Sequence, residues 1–584
     1  MGSRSVLRGL PLQMVETFAY DAVGNLGAKT DFNGKTTAFT YDGLNRLLTK
    51  TPDPSLSQPT ITFTYNPTGT RATMADATGT TNYTYDNRDR LKIKATPEGT
   101  LNYTYDAHGN LLTILSSNAN GASVTYTPDA LNRLSTVTDN RLAAEGVATP
   151  VTTYGYDAAG NMSGYTYSAN GLQSTYSYDT LNRLSQVGWA KGTTSLSSFT
   201  YTPFPAGNVH TVAELSGRNV TYGYDNDYHL QSETIASDPG GNNGAETYTY
   251  DSVGNRKTVN STIPSLGGSM SYTYDANDRL TTDSYDSNGN TISSSGISFT
   301  YDFENRLLMK GAVINVYDGD GNRVSNTAGG TTTTYLVDTL NPTGYSQVVD
   351  ELVSGAVTRT YTYGRQRISE NQFISGAWKP SFYGYDGHGN VRFLGNTGGT
   401  VTDTYQFDAF GNMIASTGTT PNTYLYSGER FDSNLNLYHL RARYYNMLTG
   451  RFETMDPLQQ KRSCSASRLY SPWELNLYAY ADENPVNRFD PTGKAATAEY
   501  AVDLTPLLIA APAIIYFSAN LGCNAELAKC LLTSLDDLPG SVYGSGRCLW
   551  CHEACIRNGY WPSRVRSPAG GSIKCDYWNR SSNQ

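Results

Sequence analysis

A short pattern, Tyr-x-Tyr-Asp followed by a turn, recurs through about two-thirds of this chain and constrains its fold more than any other feature. One form ends in Gly-Asn: FAYDAVGNL at Phe18–Leu26, YTYDAHGNL at Tyr103–Leu111, YGYDAAGNM at Tyr154–Met162, YTYDSVGNR at Tyr248–Arg256 and YGYDGHGNV at Tyr383–Val391. The other ends in Asn-Arg-Leu or Asp-Arg-Leu: FTYDGLNRL at Phe39–Leu47, YSYDTLNRL at Tyr176–Leu184, YTYDANDRL at Tyr272–Leu280 and FTYDFENRL at Phe299–Leu307. Copies return roughly every 20–25 residues, a period typical of repeat architectures. In Tyr248-Thr249-Tyr250 the tyrosines stand at i and i+2, so on a strand they share a face. Asp251 then opens a turn that Gly254 closes, the Asp-x-x-Gly spacing of a type I turn. The carboxylate caps turn amides and the glycine accepts positive φ. Each unit is therefore a strand, a turn and a returning strand. One hairpin is marginal alone, but stacked hairpins extend a single sheet held by cross-strand tyrosine contacts. A long sheet twists, and winding it into a spiral protects its edges. The repeated aspartates are read as turn caps, each serving its own turn, and not as a catalytic carboxylate set.

Composition supports an all-β reading. Tyrosine (45) outnumbers lysine plus arginine (43), and glycine reaches 56. Tyr and Thr suit half-buried pleated surfaces, while Gly, Asn and Asp supply turns. The net charge of −9 and the lack of a basic run argue against nucleic acid as a partner of the repeat body. The first residues, MGSRSVLRGLPLQMVETFAYD, lack the apolar core of a signal peptide and enter a repeat almost at once, so a fragment of a longer gene product is expected. The most apolar stretch, Leu504–Phe517, is short for a membrane span and holds Pro506 and Pro512.

From about Phe18 to Asn412 the pattern resembles the YD-repeat, or Rhs, family, whose relatives include the C component of Tc insecticidal toxins, polymorphic Rhs toxins and the teneurin shell. The resemblance implies a mainly β fold: a spiral of stacked β-hairpin repeats forming a hollow shell. In toxin members that cocoon holds a C-terminal effector. After Asn412 the pattern changes. Tyr426–Pro457 reads YSGERFDSNLNLYHLRARYYNMLTGRFETMDP, and Leu475–Gly493 reads LNLYAYADENPVNRFDPTG. The elements YSGERFD, LYHLRARYYN, GRFETMDP, NLYAY and NPVNRFDPTG resemble the Rhs-associated core. The expected plan is a repeat shell over 1–412, a core plug over 413–493 and a variable effector or tail over 494–584.

In toxin members the core acts as an intramolecular aspartic protease, with two aspartates in Asp-Pro boxes. The matching positions are Asp456 (MDPL) and Asp490 (FDPTG), and the cut would fall near Gly493–Lys494. Two close carboxylates do not both ionise easily, so one keeps a proton. The ionised one activates water while the other polarises the peptide carbonyl. Arg451 and Arg443 are candidate electrostatic supports, with surface or sheet-pairing roles as the alternative. The first box, Asp456-Pro457-Leu458-Gln459, lacks the glycine, an insertion QQKRSCSASRLYSPWE separates the boxes, and Lys494 stands where the family often has Leu. A reading of both aspartates as caps of Pro-containing turns therefore stands beside the catalytic one.

At Lys494 the tyrosine repeats stop. Ala495–Phe517 and Leu521–Leu535 read as helical, which makes the tail small, helical and cysteine-rich. Six of the seven cysteines fall here, Cys523, Cys530, Cys548, Cys551, Cys555 and Cys575, with Cys464 alone in the core insertion. They read as three disulfides in an oxidising compartment. The alternative is a zinc site from Cys548, Cys551, His552 and Cys555. His552-Glu553 lacks the second histidine of a zinc-protease helix. No other cofactor is expected.

Two functions of different class follow. The first is a secreted or cell-surface toxin shell that encloses its own tail as cargo and releases it by self-cutting, with secretion machinery and an immunity protein as partners. The second is a scaffold that binds carbohydrate or another cell through its aromatic side chains, without catalysis.

Overall fold

The computed structural model describes residues 5–9, 15–148, 150–457, 476–494, 497–498, 564–566 and 572–574. The helices expected in the tail, all seven cysteines and His552 lie outside these residues. The chain divides into two compact units, Met1–Leu507 and Leu508–Gln584. Among the described residues the second unit contributes one antiparallel ribbon, Arg564–Arg566 with Ser572–Lys574. No helix among the described residues is long and apolar enough to cross a membrane.

The first unit is mainly β. A 24-stranded antiparallel sheet runs from Ser5–Gly9 to Gly268–Ser271, and a 14-stranded sheet runs from Ser284–Tyr285 to Met413–Thr417. Strands pair with their chain neighbours throughout, so each sheet is a meander of linked hairpins.

The repeat turn explains the motif atom by atom. In the Asn-Arg form, Asp42 Oδ1 accepts the amides of Leu44 and Arg46 at 2.9 and 3.0 Å, and Oδ2 receives Arg46 Nε at 2.7 Å. In the Gly-Asn form, Asp106 Oδ1 accepts the amides of His108 and Asn110, and Oδ2 receives Asn110 Nδ2 at 2.8 Å. The Asp42 amide bonds the Arg46 carbonyl, the Asn45 amide bonds the Asp42 carbonyl, and the register slips between Thr40 and Tyr41. The turn thus carries a bulge that needs one left-handed residue. Glycine fills that place in one form (Gly109, φ 99°) and asparagine in the other (Asn45, φ 61°), since both tolerate it. Neighbouring turns of the two forms are bonded to each other: Asn25 Nδ2 donates to Asn45 Oδ1 at 2.9 Å, and Asn110 to Asn132 at 2.8 Å.

The two faces of the strip divide the labour. The threonine between the aromatics points outward and meets a partner threonine across the hairpin, as in Thr40–Thr49, Thr64–Thr73 and Thr104–Thr113, each at 2.7 Å. On the other face the tyrosine just before the turn donates its hydroxyl to a carbonyl of the preceding hairpin in many copies: Tyr41 to Leu26, Tyr65 to Leu47, Tyr105 to Leu91 and Tyr178 to Met162. The arginine of the Asn-Arg turn lies over the next such ring, Arg46 over Tyr65 at 4.6 Å and Arg133 over Tyr156 at 4.2 Å.

The second sheet lies against this aromatic face of the first. Tyr103 donates to Asp338 at 2.7 Å, Tyr167 to the Tyr383 carbonyl and Trp189 to the Tyr385 carbonyl, each at 2.8 Å. Asp139 caps a five-residue helix, Asn140–Ala144, and receives the Thr362 hydroxyl. The sequence offset between partners falls overall along the strip. It is 257 residues for Asp31 and Asn288, 235 for Tyr103 and Asp338, and 176 for Glu233 and Ala409. The strip coils back on itself with a circuit that shortens.

Candidate functional site

The core segment begins where the second sheet ends. Four short strands, Arg430–Asp432, Leu437–Leu440, Arg443–Asn446 and Arg451–Phe452, form a small antiparallel sheet. Its tyrosines clasp the last repeat turn of the strip. Tyr426 donates to the Ala409 carbonyl at 2.8 Å, Tyr445 to Phe410 at 2.7 Å and Tyr438 to Gly411 at 3.3 Å. The Asn-Pro segment ties the core to the first sheet, because Asn487 Oδ1 accepts the Val209 amide at 2.8 Å and its Nδ2 donates to Tyr224 at 2.9 Å.

Asp456 and Asp490 come together around one guanidinium. Nη2 of Arg443 lies 3.3 Å from Asp490 Oδ2 and 3.7 Å from Asp456 Oδ2. The Asp456 amide is held by the Leu477 carbonyl at 2.9 Å, which fixes the first box beside the second. Asp490 is buried, and its side chain divides two tasks. Oδ1 accepts the Thr492 hydroxyl and the Lys494 amide, both at 3.1 Å, while Oδ2 faces Arg443. The turn-capping role and the paired-carboxylate geometry therefore occupy different oxygens of one residue.

The segment that follows is threaded along the strand edge at Leu440–Arg443. The Ala442 amide bonds the Thr492 carbonyl at 3.2 Å, Arg441 holds the Pro491 carbonyl, and Arg443 Nε donates to the Gly493 carbonyl. The Gly493–Lys494 peptide is thus gripped on both sides, its oxygen by Arg443 and its nitrogen by Asp490. Gly493 has φ 65°, and a Cβ there would fall 2.2 Å from the Leu440 carbonyl oxygen and 2.9 Å from the Arg443 nitrogen. Glycine is needed for both backbone conformation and space. Lys494 is exposed.

Burial pulls the Arg443 guanidinium below its ordinary value, and Asp456 and Asp490 oppose that pull. The ring of Phe452 lies 3.5 Å from its centre, closing the apolar side. Arg451 is placed elsewhere: it donates to Asn255 at 2.7 Å and to the Asp278 carbonyl, and lies between Tyr274 and Tyr478. It joins core to strip and does not meet the aspartate pair. Arg441 escaped the sequence reading. It stands in the two-residue turn between Leu437–Leu440 and Arg443–Asn446, with φ 55°, where strand alternation gives no signal for its side chain. No group of three or more histidines, cysteines or carboxylates among the described residues has the geometry of a metal site.

Comparison with known proteins bears on the repeats and the fold. A family model described as RHS Repeat matches residues 20–55 and 105–148. The chain is 28% identical over 369 residues to the tRNA3(Ser)-specific nuclease WapA of Bacillus spizizenii and to the tRNA nuclease WapA of Bacillus subtilis, in each case over 53% of this chain and 15% of the relative. Its fold is similar to that in the crystal structure of TcdB2-TccC3, with a TM-score of 0.67 at 19% identity, over 82% of this chain and 28% of that one. The chain therefore spans about one-seventh of the length of these curated relatives.

Proposed function

We propose that this chain, an Rhs-repeat, or YD-repeat, protein, works as the shell of a toxin that cuts itself after Gly493 to free the segment that follows. The repeats form a shell-type scaffold. In this reading the core presents one peptide bond to its own carboxylates, and the exported shell keeps that cargo enclosed until it is delivered.

The observation that carries the reading is the double grip on Gly493–Lys494 beside the Asp456–Arg443–Asp490 cluster. Each residue has a task that the geometry supports. Asp456, the more exposed of the two carboxylates, activates water as the base. Asp490 lies against the Lys494 nitrogen and in its protonated state delivers a proton to the departing amine. Arg443 Nε stabilises the charge that grows on the Gly493 oxygen as water adds. Its Nη2 attracts both carboxylates and holds them together. The bond broken is the Gly493–Lys494 amide, leaving a carboxylate on Gly493 and an amine on Lys494.

Intact mass spectrometry of the purified chain, run beside Asp490→Asn and Asp456→Asn, tests this. Two fragments joining at Gly493–Lys494 in the unsubstituted chain and one whole chain in each variant are expected. An uncut parent chain would leave both aspartates with structural roles only.

A further inference from the structure

The turn Asp408–Asn412 is built like every other repeat turn, yet its surroundings invert its acid chemistry. Asp408 Oδ1 accepts the Asn412 amide and Oδ2 receives Asn412 Nδ2, at 2.8 and 2.7 Å. In the exposed copies such bonds hold the carboxyl low: Asp42 and Asp129 lie below the ordinary carboxylate range, and Asp86 is brought to about 2. Asp408 is buried and docks against the first sheet, where two further carboxylates already face each other. Glu233 and Glu246 are register partners on adjacent strands, and both are buried. Like charges directly opposite on a sheet repel. Glu233 Oε2 accepts the Ala409 amide at 2.7 Å, and Glu246 Oε2 receives the Tyr248 hydroxyl at 2.8 Å. The next residue of the turn, Phe410, is fully buried, with its ring 5.0 Å from that of Tyr248.

We infer that the Asp408–Asn412 turn is a proton-locked joint between strip and core: its seat on Glu233, opposite Glu246, holds while Glu233 and Asp408 keep their protons, and it loosens as pH rises. This stands whether or not the chain cuts itself. On the first sheet, Arg218 is paired with Glu214 at 2.6 Å and draws Glu233 down against the stronger push of burial, and Arg256 stacks on Phe410 at 4.4 Å and donates to the Leu448 carbonyl. Tyr222 faces Glu233 and remains a neutral phenol, raised by burial, as does Tyr248. On the core, Tyr438 and Tyr445 face Asp408 and stay protonated for the same reason. Glu483, buried on the core side, is pushed up to about 8 by burial.

Burial and the facing Glu246 push Glu233 from an ordinary 4.5 up to about 8, and burial with both glutamates pushes Asp408 up as well. A group raised in the folded state contributes most at low pH, and that contribution is lost as pH climbs from 4.5 through about 8. The joint is therefore tightest in acid and slackens progressively as pH climbs to about 8.

Because the same turn is clasped by Tyr426, Tyr438 and Tyr445, its loosening frees the core from the strip. Hydrogen exchange of the full chain, followed on peptides spanning 405–417 at about pH 6 and about pH 9 and corrected for intrinsic exchange, reads the joint directly. Opening should rise about tenfold or more between the two conditions in the parent chain. In Glu233→Gln/Glu246→Gln, or in Glu246→Gln alone should the pair fail to fold, the rise should shrink to about twofold or less, while peptides over the exposed turn at 86–90 behave alike in all chains. A parent chain whose 405–417 peptides open equally at both pH values, or a variant that keeps the full rise, would overturn the proposal.

Discussion

The hydroxyl of Tyr65 donates to the carbonyl of Leu47 at 2.8 Å, tying each hairpin to the one before it. The same bond joins Tyr156 to Leu134 and Tyr250 to Leu230. It accounts for a feature of the motif that pattern alone left unexplained. The aromatic two residues earlier is Phe39, Phe63 or Phe299 in some copies, where it only fills the face, and tyrosine in others, where it can bond across to the second sheet as Tyr103 does to Asp338. The tyrosine just before the turn has a carbonyl to satisfy. Tyr105→Phe should therefore cost about 1 kcal/mol and lower the unfolding midpoint, as read by denaturant titration. Phe63→Tyr tests the other position and should gain nothing.

Acid should loosen the repeat turns in a defined window. The Arg90 side chain holds the Asp86 carboxyl down at about 2 from an ordinary 3.8. A depressed group contributes above its unfolded value, and the contribution fades as pH falls from 3.8 through about 2. Asp86→Asn should leave the chain less acid-sensitive in that window, seen as a smaller drop in melting temperature between about pH 4 and about pH 2.

Gly493→Ala should abolish self-cutting even though no carboxylate is touched. The added methyl meets the Leu440 carbonyl and demands a left-handed alanine. Mass spectrometry should find the chain whole.

Arg443→Met should be among the most damaging single changes. It leaves the buried Asp490 without its cation, at a cost of about 3–5 kcal/mol, and removes the donor to the Gly493 carbonyl. Arg451→Met should also destabilise, through Asn255 and Tyr478, but should leave the aspartate cluster and any cutting in place. Comparing cut fraction with melting temperature in the two variants separates the roles.

Most of the repeat architecture was legible because its determinants are local. Tyr-x-Tyr sets a strand face, and Asp with Gly254 or Asn45 sets a turn, all within a few residues. The pairing of Asp456 with Asp490 was visible only through likeness to a family, since 34 residues and an insertion separate them. The guanidinium between them, the grip of Arg441 on Pro491 and the diversion of Arg451 to Asn255 all depend on how the core folds back. The same holds for Glu233, Glu246 and Asp408, which read as ordinary sheet and turn residues until the coil brings them together. Most repeat tyrosines were expected to pack in the sheet, and Tyr105, Tyr178 and Tyr156 are engaged there through their hydroxyls or rings.

The overall fall in sequence offset from 257 to 176 residues has a genetic consequence. Tandem copies that look alike invite unequal recombination, which deletes or duplicates whole hairpins. Between Glu233 and Asn288 such an event would shift all three partners by one hairpin, so that Asp31 no longer meets Asn288, Tyr103 no longer meets Asp338 and Glu233 no longer meets Ala409. Copies inserted ahead of Val15 would disturb none of these pairs. Near-identical repeats are thus unequal in the freedom they have to vary in number, and that freedom lies upstream of the first pair the coil closes.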